Sequence, residues 1–296
     1  MRSQIPAAGE RGFDINDENL GELAFAALAD HAGAITIIDP RTGRVVKRVG
    51  RGADVEYTAQ AYEIARVAAA YTGLETGVIT ERTLLSCDGG VEKVNVVDAL
   101  ARPCPRFFAD LSRKISYPQF RRAAELIGFT YFALESPTWD QTLMKPVAAR
   151  FPERVTPESF AAMVVSGAGI EARDLHFAQI ASTLASGTTA SERFAAWVMI
   201  NARAITPPVR TLNPAVLAVI RRGLRQSVDE GEARAAASID VTVAGKMGGG
   251  GGRAIFVSWA SVTDARVAVV VYLKDAAPRD AAEVAGKFYA LCFSPK

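Results

Sequence analysis

Two spacings of apolar residues alternate along the chain. Residues 17–30, DENLGELAFAALAD, put Leu20, Leu23, Ala27 and Leu28 on one side at helical spacing, with Asp17 as the expected N-cap. Residues 34–50, AITIIDPRTGRVVKRVG, are two β-rich runs around Asp39-Pro40-Arg41-Thr42-Gly43, a turn sequence in which glycine supplies positive φ, so a β-hairpin is predicted. The middle of the chain returns to helical spacing. Residues 58–76 are Ala-rich, with Ile64, Ala65, Ala68 and Thr72 on one face. Pro157 stands near the start of a helix within 151–165, Asp174 and Gly187 bracket another as N-cap and stop, and Leu217, Ile220, Leu224 and Val228 form one stripe within 213–228.

The last third changes character. IDVTVAGK (239–246), AIFVSWASV (254–262) and RVAVVVYLK (266–274) are three β-rich runs joined by short turns, which predicts antiparallel pairing. Val267 to Leu273 is uninterrupted apolar sequence, as a strand covered on both faces requires. A final helix over 280–293 carries Val284, Phe288, Leu291 and Cys292 on one face and can cover the sheet. The fold class that follows is α+β: an antiparallel sheet built from both chain ends, with the hairpin as outer strands, covered by helices and interrupted by a mostly helical insertion.

Composition narrows the function classes. The 296 residues are 49% apolar and 22% charged with net charge +2, values of one large globular domain or two small ones, not of a disordered chain. No block of five basic residues argues for nucleic acid. No run of 18 apolar residues spans a membrane, and the start, MRSQIPAAGERGFDIND, lacks the apolar centre of a signal peptide. The expectation is a cytoplasmic protein, or one whose export signal or anchor is not part of this chain. Three cysteines (Cys87, Cys104, Cys292) and two histidines (His31, His176) show no zinc-ligand spacing, and no metal or cofactor is expected. At most one disulfide forms, so the redox compartment stays open.

Five stretches, taken in order, resemble the transpeptidase domain of penicillin-binding proteins and the related class D β-lactamases: AITIIDPRTGRVV (34–46), LETGVIT (74–80), VVDALARPCPRFFADLSRKI (96–115), VVSGAGIEARDLHFAQIASTLASG (164–187), and VAGKMG (243–248) followed by VAVVVYLKDA (267–276). The resemblance implies a single domain over 1–296, with a sheet subdomain of 33–52 and 195–296 and a helical subdomain of 53–194. It also implies acyl-transfer chemistry: a Ser-x-x-Lys nucleophile and lysine, a Ser-x-Asn motif, and a Lys-Thr-Gly strand beside which substrate pairs.

All three motif slots depart from that pattern. Counting back from Leu74, the first falls on Glu63-Ile64-Ala65-Arg66, with a carboxylate in place of the nucleophile and an arginine whose pKa is too high for a base. The second reads Pro103-Cys104-Pro105 and the third Lys246-Met247-Gly248, which has lost its hydroxyl. No Ser-x-x-Lys occurs anywhere in the chain. The expectation is a catalytically inactive transpeptidase-like domain in the cell envelope. It would bind a peptidoglycan stem peptide, through Lys246 and Gly248, or an envelope protein, and meet a membrane only through a segment absent from this chain. The alternatives are an active serine- or threonine-type transpeptidase, carboxypeptidase or β-lactam-binding enzyme, for which Thr142 is the nearest candidate nucleophile, and an enzyme using Glu63 as acid or base.

Other features have plainer readings. Glu63 and Arg66 make an i,i+3 ion pair or, more sharply, Glu63 reaches Lys246 and plugs the cleft. Gly248 to Gly252 reads as a flexible connection bordering the cleft mouth. Cys104 reads as structural, His176 as a surface or capping residue, and Arg121-Arg122 and Arg221-Arg222 as solvated helix faces.

Overall fold

The computed structural model describes residues 13–88, 92–134, 144–201 and 208–294; Thr142 lies outside them. Helix α1 (Leu20–Leu28) leads into the hairpin β1 (Gly33–Ile38) and β2 (Val45–Arg51). Strand β3 (Thr58–Gln60) and a 3-10 turn (Tyr62–Ile64) precede α2 (Ala65–Glu75). Then come β4 (Leu85–Ser86), β5 (Lys93–Val94), α3 (Val96–Ala101), α4 (Pro105–Ser112), α5 (Tyr117–Ile127), β6 (Thr130–Leu134) and β7 (Met144–Ala148). Helix α6 (Pro157–Ser166), strand β8 (Glu171–Arg173) and helices α7 (Asp174–Ser186), α8 (Ala190–Asn201) and α9 (Pro214–Asp229) follow. The chain closes with β9 (Val243–Gly250), β10 (Arg253–Ala260), β11 (Val267–Lys274) and α10 (Pro278–Phe293).

The two ends of the chain meet in one antiparallel five-stranded sheet, ordered β2-β1-β11-β10-β9. Strand β11 explains its own unbroken apolar sequence. Val269, Val271 and Leu273 pack with Ala281, Val284 and Phe288 of α10, while Ala268, Val270 and Tyr272 belong to the core on the opposite face, where α7 lies. Alternate side chains of a strand point to opposite faces, so a strand sandwiched between helices must be apolar at both. Helix α7 is buried almost all round, which is why its sequence shows no polar stripe.

Local chemistry sets the element ends, and several differ from the sequence reading. Asn19, not Asp17, is the residue before α1; Asp17 Oδ1 instead accepts from the Asn19 N–H at 2.9 Å. Asp174 is the first residue of α7 and Arg173 the one before it. His176 does the capping: its Nδ1 accepts from the Arg173 N–H at 2.9 Å and its other ring nitrogen, Nε2, lies 3.0 Å from Val147 O. It is buried, not at the surface, and burial pushes its pKa down to about 4. Gly187 ends α7 at φ 85°, as expected. Arg221 is no solvated residue: its guanidinium donates to Leu184 O at 2.8 Å and Ala185 O at 2.6 Å, satisfying the carbonyls that α7 leaves open. The glycine run is also more ordered than a loose connection. Gly248 to Gly250 complete β9, and only Gly251 and Gly252, at φ 58° and 74°, form the two-residue hairpin turn to β10.

Candidate functional site

Strand β9 is an edge strand, and its open side faces the start of α2. The approach is too close for side chains. A Cβ on Gly248 would stand 2.9 Å from Tyr62 Cβ and 3.0 Å from Glu63 N, and one on Gly167 would stand 2.3 Å from Tyr62 N. Tyr62 itself is held at φ 48°, an uncommon conformation for a residue with a side chain. Gly248 is therefore kept by packing against the α2 entry.

Glu63 follows directly. Its Oε2 accepts from the Gly249 N–H at 3.1 Å, across the open edge of β9, and its Oε1 lies 3.8 Å from Arg66 Nη2. The side chain is 26% exposed, so the carboxylate is both anchored and in reach of solvent. Arg66 is buried one helical turn on. Its Nε donates to Val165 O at 2.8 Å and its guanidinium lies over the Phe108 ring at 5.3 Å. Burial pushes its pKa down, and Glu63 and Glu232 act against that.

Lys246 does not meet Glu63, contrary to the sharper sequence reading. It is 1% exposed; its Nζ donates to Leu100 O at 3.1 Å and is ion-paired with Glu232. The reason is topological. Glu63 is held by the backbone of the edge strand, while the Lys246 ammonium runs towards the C-terminus of α3, where the turn after α9 docks through the Glu232 N–H on Ala101 O at 3.0 Å. A Cβ on Gly231 would be 2.3 Å from Ala101 O, so only glycine lets Glu232 come that close. Burial lowers the Lys246 pKa, with Glu232 the main opposing charge. Sequence spacing gave no sign of Glu232, because its partner is 14 residues away across a change of element.

The second slot supplies no polar side chain. Pro105 is the first residue of α4, where its missing N–H costs nothing. Cys104 is disulfide-bonded to Cys87, 17 residues away, which ties this segment to the end of β4 and leaves Cys292 as the free thiol. In the third slot, Met247 packs against the apolar cluster under α10, away from Glu63.

A groove of about 770 Å3 opens beside these residues, bordered by Tyr62, Glu63, Glu171, Gly249 and Arg253. Lys246 is not among the described residues that line it; Arg253, which the sequence reading passed over, is its cation. Ser166 supplies a hydroxyl at the rim, but that hydroxyl donates to Ala162 O at 2.9 Å within its own helix. Among the described residues, the Lys246 ammonium pairs with Glu232 and Leu100 O, and the Arg66 guanidinium with Glu63 and Val165 O, rather than with a hydroxyl or thiol. No group of three His, Cys, Asp or Glu side chains there could hold a metal ion.

No protein-family model matches the chain, and no curated protein matches its sequence. Solved structures do match. The transpeptidase domain of Burkholderia pseudomallei penicillin-binding protein 3 superposes with TM-score 0.74 at 17% identity, covering 98% of this chain and 96% of that one. The D,D-transpeptidase domain of a peptidoglycan glycosyltransferase from Eggerthella lenta gives 0.73 at 18%, over 93% and 81%. Penicillin-binding protein A of Mycobacterium tuberculosis, as an imipenem acyl-enzyme complex, gives 0.72 at 16%, over 94% and 79%. The fold is that of penicillin-binding-protein transpeptidase domains, as the ordered resemblance implied.

Proposed function

We propose that this transpeptidase-fold domain binds without acylating, and that its groove takes a peptide of peptidoglycan. The observation that carries the reading is the Glu63 carboxylate resting on the Gly249 N–H at 3.1 Å. Acyl transfer needs a nucleophile, a base and free hydrogen-bond donors for the oxyanion. Here an acid occupies the nucleophile slot, an arginine the base slot, and the N–H that faces them from β9 is already engaged by an internal anion. Loss of a single member of such a unit can cost several orders of magnitude in rate.

What supports peptide binding is what remains: a groove beside β9 bordered by small residues, and Arg253 to meet a carboxylate. A location outside the cytoplasmic membrane is supported by the Cys87–Cys104 disulfide, since such bonds persist in oxidising compartments. No helix among the described residues is long and apolar enough to cross a membrane.

The test is incubation with a fluorescent penicillin followed by denaturation and intact-mass measurement. The expected result is no adduct, and an adduct mapped to any residue defeats the non-acylating reading. Calorimetric titration with a peptide ending in D-alanyl-D-alanine is expected to show millimolar binding that Arg253→Ala weakens. Absence of heat would turn the reading towards a protein of an envelope complex as partner.

A further inference from the structure

A second cavity, of about 640 Å3, lies at the other end of the β3–β8 ribbon from Glu63. In that ribbon Thr58 stands opposite Arg173 and Gln60 opposite Glu171. Gln60 and Glu171 border the groove, Arg173 borders the cavity, and Thr58 borders both. The two spaces are thus neighbours separated by one short ribbon.

The cavity is bounded by polar groups that lack partners. Arg48, Tyr57, Asp174 and Gln179 all line it. Arg48 Nε, Tyr57 Oη and Gln179 Oε1 are buried without a hydrogen-bond partner among the described residues, and Asp174 Oδ2 is held by an ion pair alone. Asp174 and Gln179 are 3% and 5% exposed. Asp174 Oδ2 has an ion pair with Arg48 Nη2 at 3.2 Å, yet burial still raises the Asp174 pKa. The other such atoms, on Arg51, Arg193, Ser227 and Trp259, line neither space. Folded chains satisfy nearly all buried polar groups, so three orphans around one cavity, on Arg48, Tyr57 and Gln179, call for a polar occupant.

The donor and acceptor count says what kind. Gln179 Oε1 is an acceptor that needs an N–H, and Asp174 Oδ2, held on one side by Arg48, can accept a second. Arg48 Nε–H is a donor and needs an acceptor, the Tyr57 hydroxyl serves either role, and the Arg173 guanidinium adds a cation at the wall. We propose that this cavity binds a small zwitterion, an α-amino acid or a dipeptide, with its ammonium towards Asp174 and Gln179 and its carboxylate towards Arg48 and Arg173. The site is distinct from the groove beside Glu63 and does not depend on what that groove holds.

The experiment is calorimetric titration of the whole chain with L-alanyl-L-alanine, and with its N-acetylated and C-amidated forms, against wild type, Gln179→Leu and Arg173→Gln. Gln179→Leu replaces an amide whose oxygen has no partner by an apolar side chain of similar size, and Arg173 is exposed, so both variants are expected to fold, which circular dichroism checks. Saturable binding to wild type is expected, weakened about tenfold or more by blocking either terminus and by either substitution. A crystal soaked in the dipeptide is expected to show it on Asp174 and Gln179. The proposal is overturned by any of four results: no saturable heat, equal affinity of the blocked forms, a dipeptide lying beside Glu63 and Gly249 instead, or a cavity holding only ordered water.

Discussion

Lys246 and Glu232 form the most deeply buried ion pair beside the cleft, with side chains 1% and 11% exposed. Such a pair has little net worth over apolar packing, but breaking it leaves a charge without compensation. Glu232→Gln is therefore expected to destabilise the chain by about 3–5 kcal/mol in urea unfolding. Replacing both residues by methionine should recover most of that loss. No loss in Glu232→Gln would mean that residue 232 acts through its backbone docking on Ala101 alone. His176 provides the pH-dependent counterpart. Its folded pKa of about 4 lies below the ordinary value of 6.5, so in between the unfolded chain binds the proton and the folded one does not. The stability it contributes is complete above pH 6.5 and is lost as pH falls towards 4. The full effect is up to about 3 kcal/mol. Unfolding free energies of wild type and His176→Asn, measured from pH 7 to pH 4, should converge as the pH falls; parallel curves would show that His176 does not titrate on unfolding.

At the scale of elements, β9 is held from two directions. Its hairpin turn is permissive: a Cβ on Gly251, at φ 58°, would meet nothing within 4 Å, so Gly251→Asn should change stability by less than about 0.5 kcal/mol. Two or three residues earlier there is no such room. Gly248→Ala pushes a methyl into Tyr62 and Glu63 and should cost about 1–3 kcal/mol while widening the gap between β9 and α2. Comparable unfolding curves for the two variants would contradict this placement of the strand. The disulfide fixes another side of the cleft. Closing a 17-residue separation is worth about 3 kcal/mol on the loop-entropy account, and the Cys87→Ser, Cys104→Ser double variant should lose about that much.

The sheet and most helices were legible in the sequence because their signals are local. The β-rich runs around the turn of the hairpin, the unbroken apolar run of β11 and the stripe of α9 each follow from what one element buries. The site was legible only in part. Glu63, singled out position by position, does border the groove, but Arg66 is buried behind it, and the contacts of both are made between elements far apart in the chain. Glu63 meets a backbone N–H 186 residues away, a partner that side-chain reasoning does not enumerate. Lys246 finds Glu232 because glycine at 231 lets a turn dock on α3, and neither fact has a periodic signature. The same gap hid Arg253 at the groove and Arg221 on the end of α7.

For the molecule as a whole, the proposed absence of acylation can be tested by restoring the first slot. Glu63→Ser with Arg66→Lys restores the side-chain types of the first slot and frees the Gly249 N–H. The rest of the catalytic geometry stays absent. Lys246 remains paired with Glu232 and Leu100 O, Met247 stays packed under α10, and the second slot still presents proline and a disulfide. A serine and lysine pair without the polar side chains of the other two slots lacks the groups that pass on its proton and hold the substrate. The double variant is therefore expected to fold and to remain unlabelled by fluorescent penicillin, as judged by intact mass after denaturation. Rapid stoichiometric labelling at residue 63 would instead mean that two side chains alone separate this chain from a working site, and that the Lys246–Glu232 pair yields once a nucleophile is present.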